Sequence, residues 1–291
     1  MFSERIEFVQ RKFGPVFPQD NEAIFFNPET PSHCLSLSLD KLVAYQTLFP
    51  VVDQLETAGI KCVQSISQRK FNLAIISIPK SKKLARHLIY LATKAVPEGL
   101  IIVDGNKSNG IESIIRDLEK KIKITNVVSK AHGKTAWFET PADLEMYKDI
   151  PLRIEDGFET QAGVFSSDGV DPASKLLIQL LPKDLMGVGA DLGGGWGYLS
   201  AKVLKTNSIR ELHFIEADFT AINLAKNNLN DKRVKFYWCD ALKWKAPKLL
   251  DFIIMNPPFH HLGRAIPTLG VDFIKVASRN LKKSGTLWMV A

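Results

Sequence analysis

Cysteine is scarce and scattered in this 291-residue chain: Cys34, Cys62 and Cys239 are odd in number, far apart and never spaced as a CxxC pair. That pattern gives no support to a disulfide scaffold or a zinc site and suggests a reducing cytoplasm. Long apolar runs are missing too; none approaches the roughly 18 residues of a membrane span. The opening "MFSERIEFVQRKFG" is charged too early and too often for a secretory signal. Two nucleotide fingerprints are also lacking at the glycine-rich stretch 193–197. The dinucleotide pattern GxGxxG would start at Gly193 and fails at Tyr198, and no Gly-Lys-Ser/Thr follows to make a P-loop. No grouping of His, Asp and Cys makes a ligand set, so no metal is expected.

What is present is an ordinary globular composition, with 45% apolar residues, and enough chain for two domains at the usual size of roughly 150 residues each. The net charge of +7 is spread over both halves, a bias compatible with a polyanionic partner such as nucleic acid. "KSKKLARH" (80–87) is the densest basic cluster; it serves equally as a solvated helix start.

The chain repeats one pattern. Leu73–Ile78 reads as a buried strand ending at Pro79. Ser81 can cap a helix that puts Leu84, Leu88, Leu91, Ala92 and Ala95 on one face, and Leu100–Val103 is again an apolar strand. From Asp251 the order recurs: a strand over Phe252–Met255 ending in prolines, a helix carrying Phe273, Ile274, Ala277 and Leu281, a break at "KKSG", and an apolar Thr286–Val290. Strand–helix–strand units of this kind build parallel α/β sheets. The two halves therefore read as divergent copies of one Rossmann-like α/β domain, over 1–150 and 151–291, joined by the mixed-polarity stretch Asp149–Glu159. In the first copy Gly110–Ile122 has a helical pattern, and Ile124–Val128 with Thr135–Glu139 reads as a closing hairpin. The second copy reaches only strand five at Ala291, so its sheet is expected to be truncated there. By comparison with the first copy, roughly 40 to 50 further residues would complete such a domain.

"GVGADLGGGWGYLSAKVLK" (187–205) places Gly193, Gly194, Gly195 and Gly197 between a strand end and a helix start. Glycines there let the backbone turn sharply and approach a ligand closely, and the helix amides favour an anionic group. Asp191 ends that strand. "LHFIEAD" (212–218) ends the next in Glu216, which can accept both hydroxyls of a ribose, and "VKFYWCDAL" (234–242) ends the third near Asp240. Three successive strand tips thus carry carboxylates on one sheet edge.

From about residue 160 onward the sequence resembles the class I S-adenosylmethionine-dependent methyltransferases, and within them the bacterial ribosomal RNA guanine-N2 methyltransferases of the small (16S) and large subunits. The resemblance rests on "GVFSSDGVDPASKLLI" (163–178), "DLGGGWGYLS" (191–200), "NPPFHH" (256–261) and "GTLWMVA" (285–291). It implies a catalytic second domain preceded by a degenerate, non-catalytic methyltransferase-like copy. "SIPK" (77–80) stands in that copy where Asn-Pro-Pro-Phe stands in the other, and no cofactor is expected there. It further implies that Asp191, Gly193, Gly195 and Gly197 hold the methionine end of S-adenosylmethionine, Glu216 the ribose, and Asp240 with Ala241 the adenine. Phe165, Asp171, Ser174 and Asn256 join the cofactor site. Asp171 followed by Pro172 is also a good helix start.

In this reading the tip of the strand before Asn256 faces the methyl group. An aromatic exocyclic amine is a poor nucleophile, because its lone pair is delocalised into the ring. Asn256 Oδ1 and the Pro257 carbonyl can hold its two hydrogens in advance. Phe259 offers a face for an unstacked base, worth about 1–3 kcal/mol in nucleic-acid systems. His260 can touch the base or a phosphate, or serve only as a loop residue. Cys239 lacks a Pro-Cys context, which argues against pyrimidine C5 chemistry. The expected activity is methylation of guanine N2 in ribosomal RNA, in the cytoplasm, by a monomer acting on rRNA or the small subunit. Adenine N6, a protein glutamine, and a non-catalytic RNA-binding role are the alternatives. The first domain either supports the fold of the second or grips RNA.

Overall fold

Short apolar strands alternating with one-sided helices bury a sheet between helical layers. The computed structural model describes residues 2–14, 16, 22–66, 70–141, 144–258, 260–261, 264–265 and 267–290. Two compact units emerge, Met1–Thr47 with Val51–Ile150, and Leu48–Pro50 with Pro151–Ala291.

The first unit contains α1 (Phe2–Phe13), β1 (Glu22–Phe26), α2 (Pro31–Leu35), β2 (Lys41–Tyr45), α3 (Phe49–Thr57, from Val51 onward), β3 (Lys61–Val63) and β4 (Leu73–Ser77). It continues with α4 (Lys82–Ala95), β5 (Leu100–Asn106), α5 (Ile111–Glu119), β6 (Asn126–Lys130) and β7 (Gly133–Glu139). The sheet order is β3-β2-β1-β4-β5-β7-β6. All neighbours are parallel except around β7, which runs antiparallel to β5 and to β6. β4 is buried at every position, and α4 packs Ala85, Leu88, Ile89 and Ala92 into the same core. Ser81 Oγ accepts the Leu84 amide at 3.3 Å and caps α4 as its sequence predicts. The predicted hairpin is present. It turns on Ala131 and His132, both at positive φ (45° and 55°), the twist a two-residue hairpin loop requires.

One interaction crosses this unit in depth. Arg5 of α1 and Asp104 of β5 are 2% and 1% exposed. The guanidinium donates to both carboxylate oxygens, at 2.7 and 2.6 Å, and Thr135 Oγ1 donates to the same carboxylate at 2.5 Å. At the strand tips the chain satisfies itself. Asn27 Nδ2 donates to Ser77 O at 3.0 Å, and buried Gln46 donates to Pro28 O at 2.9 Å while accepting the Thr47 amide at 2.8 Å.

The second unit contains β8 (Leu152–Arg153), β9 (Glu159–Thr160), α6 (Pro172–Leu180), β10 (Gly187–Leu192), α7 (Tyr198–Val203), β11 (Ile209–Glu216) and α8 (Phe219–Asn228). After these come β12 (Val234–Trp238), β13 (Leu250–Met255), β14 (His260–His261), β15 (Arg264–Ala265), α9 (Pro267–Asn280) and β16 (Leu281–Met289). Its main sheet has five described strands, all parallel, in the order β12-β11-β10-β13-β16. That is the order of the first five strands of the first unit, as expected of two copies of one domain. "KKSG" does more than break the helix: it lies inside β16. Leu281 pairs with Leu250 and Thr286 with Phe252, so the intervening residues form an irregularity opposite Asp251. Lys282 Nζ fastens it there by a 2.6 Å bond to the Asp251 carboxylate.

Candidate active site

Parallel strands all point their C-terminal ends one way, so the loops after β10, β11, β12 and β13 share one edge. Asp191, the penultimate residue of β10, is fully buried. Its Oδ2 accepts Ser200 Oγ of α7 at 2.6 Å, while Oδ1 has no partner among the described residues. Burial pushes this carboxyl up to about 7, against the lowering effect of the Ser200 bonds.

The glycine loop then folds back over β11. Gly193 and Gly194 donate their amides to Ile215 O at 2.8 and 3.1 Å. Gly193, Gly195 and Gly197 sit at φ 75°, 59° and 99°, a region open to glycine at little cost. Gly194 is required for space: a Cβ there would lie 2.3 Å from the Phe214 ring. The Gly195 amide donates to Glu216 Oε2 at 2.8 Å, and the Asp218 amide to Oε1 at 2.8 Å. Burial raises the Glu216 carboxyl to about 7, opposed by these amides. Each carboxylate oxygen has two lone pairs, so both can accept a further donor such as a ribose hydroxyl.

Trp196, inside the glycine loop, explains how the segment before α6 is held. Its ring is buried with Phe158, Val164, Val170, Ala221 and Leu224, and its Nε1 donates to Phe165 O at 3.0 Å. Asn228, at the end of α8, completes the attachment. Its Oδ1 accepts the Glu159 amide at 2.8 Å, and its Nδ2 donates to Glu159 O at 2.9 Å and Trp196 O at 2.8 Å. The segment thereby places Asp171 beside the tip of β13. The Asp171 carboxylate caps α6 by accepting the Ser174 amide at 2.8 Å, with Pro172 at the first helical turn. Asn256 Nδ2 donates to Asp171 Oδ2 and to Ser174 Oγ, each at 2.9 Å.

A cleft results, lined by Phe165, Asp171, Ser174, Gly193, Gly195 and Asn256 among others. It joins three sequence segments that the resemblance had grouped. Phe165, one of the lining residues, is 62% exposed. Glu216 connects to this cleft through the Gly195 amide. Asp240 and Ala241 lie farther along the edge, outside the cleft lining. The Asp240 carboxylate accepts the Leu242 amide at 2.8 Å in a local turn, and Ala241 is buried. Pro257 is buried and Pro258 exposed. Phe259 lies outside the described residues. His260 belongs to β14, which pairs with β15 opposite Ala265. Among the described residues no three His, Cys, Asp or Glu side chains cluster as metal ligands, and no described helix is long and apolar enough to cross a membrane.

Residues 155–291 match the family pattern named Methyltransferase small domain, and residues 31–140 match Methyltransferase small domain N-terminal. The ribosomal RNA small subunit methyltransferase C of Shewanella pealeana is 31% identical over 235 residues, covering 76% of this chain and 68% of that protein. The chain belongs to the ribosomal RNA small subunit methyltransferase C family. The same-named protein of Acinetobacter baylyi is 28% identical over 75% of this chain and 68% of its own length. A T. thermophilus 16S rRNA N2 methyltransferase, solved in complex with AdoMet and guanosine, superimposes with a TM-score of 0.76. It covers 99% of this chain and 83% of its own at 20% identity, a likeness of fold.

Two residues that hold the site in this family member, Ser200 and Asn228, escape sequence reading: Ser200 sits nine residues from its partner Asp191, and Asn228 is 69 from Glu159. Asn256 and Asp171 are both legible as site residues, but not their contact across 85 residues. Ser200 lies in the first turn of α7, directly after the glycine loop, and that position is the local signal that marks it. Nothing local marks Asn228.

Proposed function

We infer that the second unit transfers a methyl group from S-adenosylmethionine to the exocyclic N2 amine of a guanine in 16S ribosomal RNA. The observation that carries this reading is the placement of Asn256, at the tip of β13, in one cleft with the glycine loop after β10, in a chain of this family. The cofactor suits the residues present. The orphaned buried Asp191 Oδ1 calls for a donor, such as an ammonium relayed directly or through water, and the glycine loop leaves room where a side chain would intrude.

In this reading Asp191, Gly193, Gly195 and Gly197 hold the amino-acid end of the cofactor. Glu216 takes the ribose, and Asp240 with Ala241 flanks the adenine. When bound, the cofactor supplies an electrophilic methyl group on a sulfonium sulfur. Asn256 Oδ1 and the Pro257 carbonyl accept the two amine hydrogens of guanine and favour a tetrahedral nitrogen with its lone pair turned inward. They also stabilise the positive charge that develops on that nitrogen, without reorganising as it develops. Phe259 supports the base, and the two prolines restrict the loop that carries these groups. The protein works as a monomer in the cytoplasm, on ribosomal RNA or the small subunit, and the first unit binds no cofactor of its own.

Incubation of the purified chain with S-adenosylmethionine and small subunits or rRNA, followed by nucleoside mass spectrometry, tests the reading. N2-methylguanosine is the expected product, lost in Asn256→Ala with cofactor binding retained. Methylated adenine, methylated protein glutamine, or no product would overturn it.

A further inference from the structure

Resting on that reading, we propose that Asp171 and Ser174 are positioning residues, which lock the Asn256 side-chain amide with its oxygen turned to the reacting amine. An asparagine amide presents two donors on one side and an acceptor on the other, and rotation about its last bond exchanges them. For the reaction the two orientations are opposite. With Oδ1 towards the substrate the residue accepts an amine hydrogen; with Nδ2 there it meets a donor with a donor. Something must choose between them.

The choice is made on the protein side. An ionised carboxylate can only accept, so Asp171 selects the amide nitrogen over the oxygen. Its Oδ2 takes Asn256 Nδ2 at 2.9 Å, and Ser174 Oγ takes the same nitrogen at 2.9 Å. Both amide hydrogens are thereby engaged, and Oδ1 accepts no hydrogen bond among the described residues. The two anchors are themselves fixed. Asp171 Oδ2 also accepts the Ser174 amide at 2.8 Å as the cap of α6, and Ser174 is only 6% exposed. The start of α6 thus sets a carboxylate, the carboxylate sets the amide, and the amide keeps its acceptor unpaired at a residue that lines the cleft with Gly193 and Gly195. This is preorganisation by residues that touch neither methyl nor amine.

The test is a charge-swap cycle. Asp171→Asn keeps a good helix cap, but an asparagine can face Asn256 with either end, so the orientation is no longer chosen. The expected result is a fall in kcat of about tenfold or more, with the KM for S-adenosylmethionine unchanged. Asn256→Asp sets two carboxylates face to face and is expected to be nearly inactive. The double variant Asp171→Asn/Asn256→Asp restores a donor against an acceptor, leaves a carboxylate oxygen for the amine, and is expected to exceed Asn256→Asp by about tenfold. A double variant no better than Asn256→Asp, or an Asp171→Asn whose only change is a raised KM for the cofactor, would overturn the proposal.

A second readout needs no turnover. In cofactor-free, 15N-labelled protein the Asn256 Nδ2 hydrogens are expected to exchange slowly, and at least about tenfold faster in Asp171→Asn/Ser174→Ala. Equal rates would sink the proposal. Wild-type protein making no N2-methylguanosine would instead sink the assigned reaction, leaving the exchange rates to decide the positioning.

Discussion

Ser200 Oγ donates to Asp191 Oδ2 at 2.6 Å in a fully buried setting, and Asp191 Oδ1 is left without a partner among the described residues. The carboxyl is raised by burial to about 7, from an ordinary value near 3.8, and Glu216 is raised to about 7 from 4.5. Between about pH 4 and pH 7 the folded protein therefore holds protons that the unfolded chain has released. Stability of the cofactor-free protein is expected to fall as pH rises through that window and to level off above it. Asp191→Asn removes one of the two contributions and should flatten, without abolishing, the slope seen in urea titrations at a series of pH values. Affinity should run the other way. An ammonium-bearing ligand prefers ionised Asp191, so calorimetry should show S-adenosylhomocysteine binding tighten from about pH 5.5 to about pH 8, and less so in Asp191→Asn.

Asn228 ties two segments with one amide, through both backbone groups of Glu159 and the carbonyl of Trp196. Alanine there leaves three backbone groups seeking partners at a part-buried site, at a cost of about 1–3 kcal/mol. The loss should be local. Hydrogen exchange is expected to speed up over residues 158–170 and in the glycine loop, with β13 unaffected. Asn228→Asp retains the acceptor for the Glu159 amide and loses both donors, so it should fall nearer alanine than wild type. Unchanged exchange in both variants would mean that the Trp196 cluster alone holds the segment.

These contacts separate what the chain discloses in one dimension from what it does not. The strand ending at Asn256, the glycine loop and the carboxylates at strand tips are legible because each is a run of adjacent residues whose chemistry agrees with its place. The doubled domain is legible because β4–α4–β5 and β13–α9–β16 repeat the same hydrophobic periods. The first strands β1 and β2 also carry short apolar runs, over 23–26 and 42–45, but no glycine loop or repeated strand–helix–strand unit marks them, and β3 is only three residues long. Asp171 shows the mixed case. Its cap on α6 follows from Asp-Pro spacing, but its bond to Asn256 exists only once the segment after β9 has been folded over the glycine loop. "KKSG" reads as an ordinary helix breaker, and only Asp251, 31 residues from Lys282, turns it into part of a strand.

The buried pair of Arg5 and Asp104 makes a stability prediction confined to the first unit. Removing one partner leaves the other charge buried without its hydrogen-bonded counter-ion, which costs about 3–5 kcal/mol. Asp104→Ala is therefore expected to lower the denaturation midpoint of the first unit sharply. The joint replacement Arg5→Met/Asp104→Leu should recover much of that loss, since apolar side chains suit the site better than one unpaired charge. Hydrogen exchange over β5 and β7, which pair through this region, reports on this unit. A double variant as unstable as Asp104→Ala would show that the hydrogen bonds Arg5 donates to Asn106 and Ala131, and the one Asp104 accepts from Thr135, matter more than the charges.

Gly194 gives the most local prediction for the cofactor site. Its neighbours Gly193 and Gly195 are needed for their positive φ, but Gly194 is needed because the loop lies against Phe214, where an added Cβ would approach ring carbons at 2.3 and 2.5 Å. Phe214 is itself fully buried between β10 and β12, so the ring has no room to yield and the loop must lift. Lifting it stretches the amide bonds from Gly193 and Gly194 to Ile215 O and from Gly195 to Glu216. Gly194→Ala is thus expected to weaken S-adenosylhomocysteine binding by at least about tenfold while lowering global stability by only about 1–3 kcal/mol, the usual cost of overpacking. The second-site change Phe214→Leu frees ring volume beneath the loop and should return part of the affinity in the Gly194→Ala background. Without that recovery, the clash with Phe214 would not be the reason a glycine stands at this position.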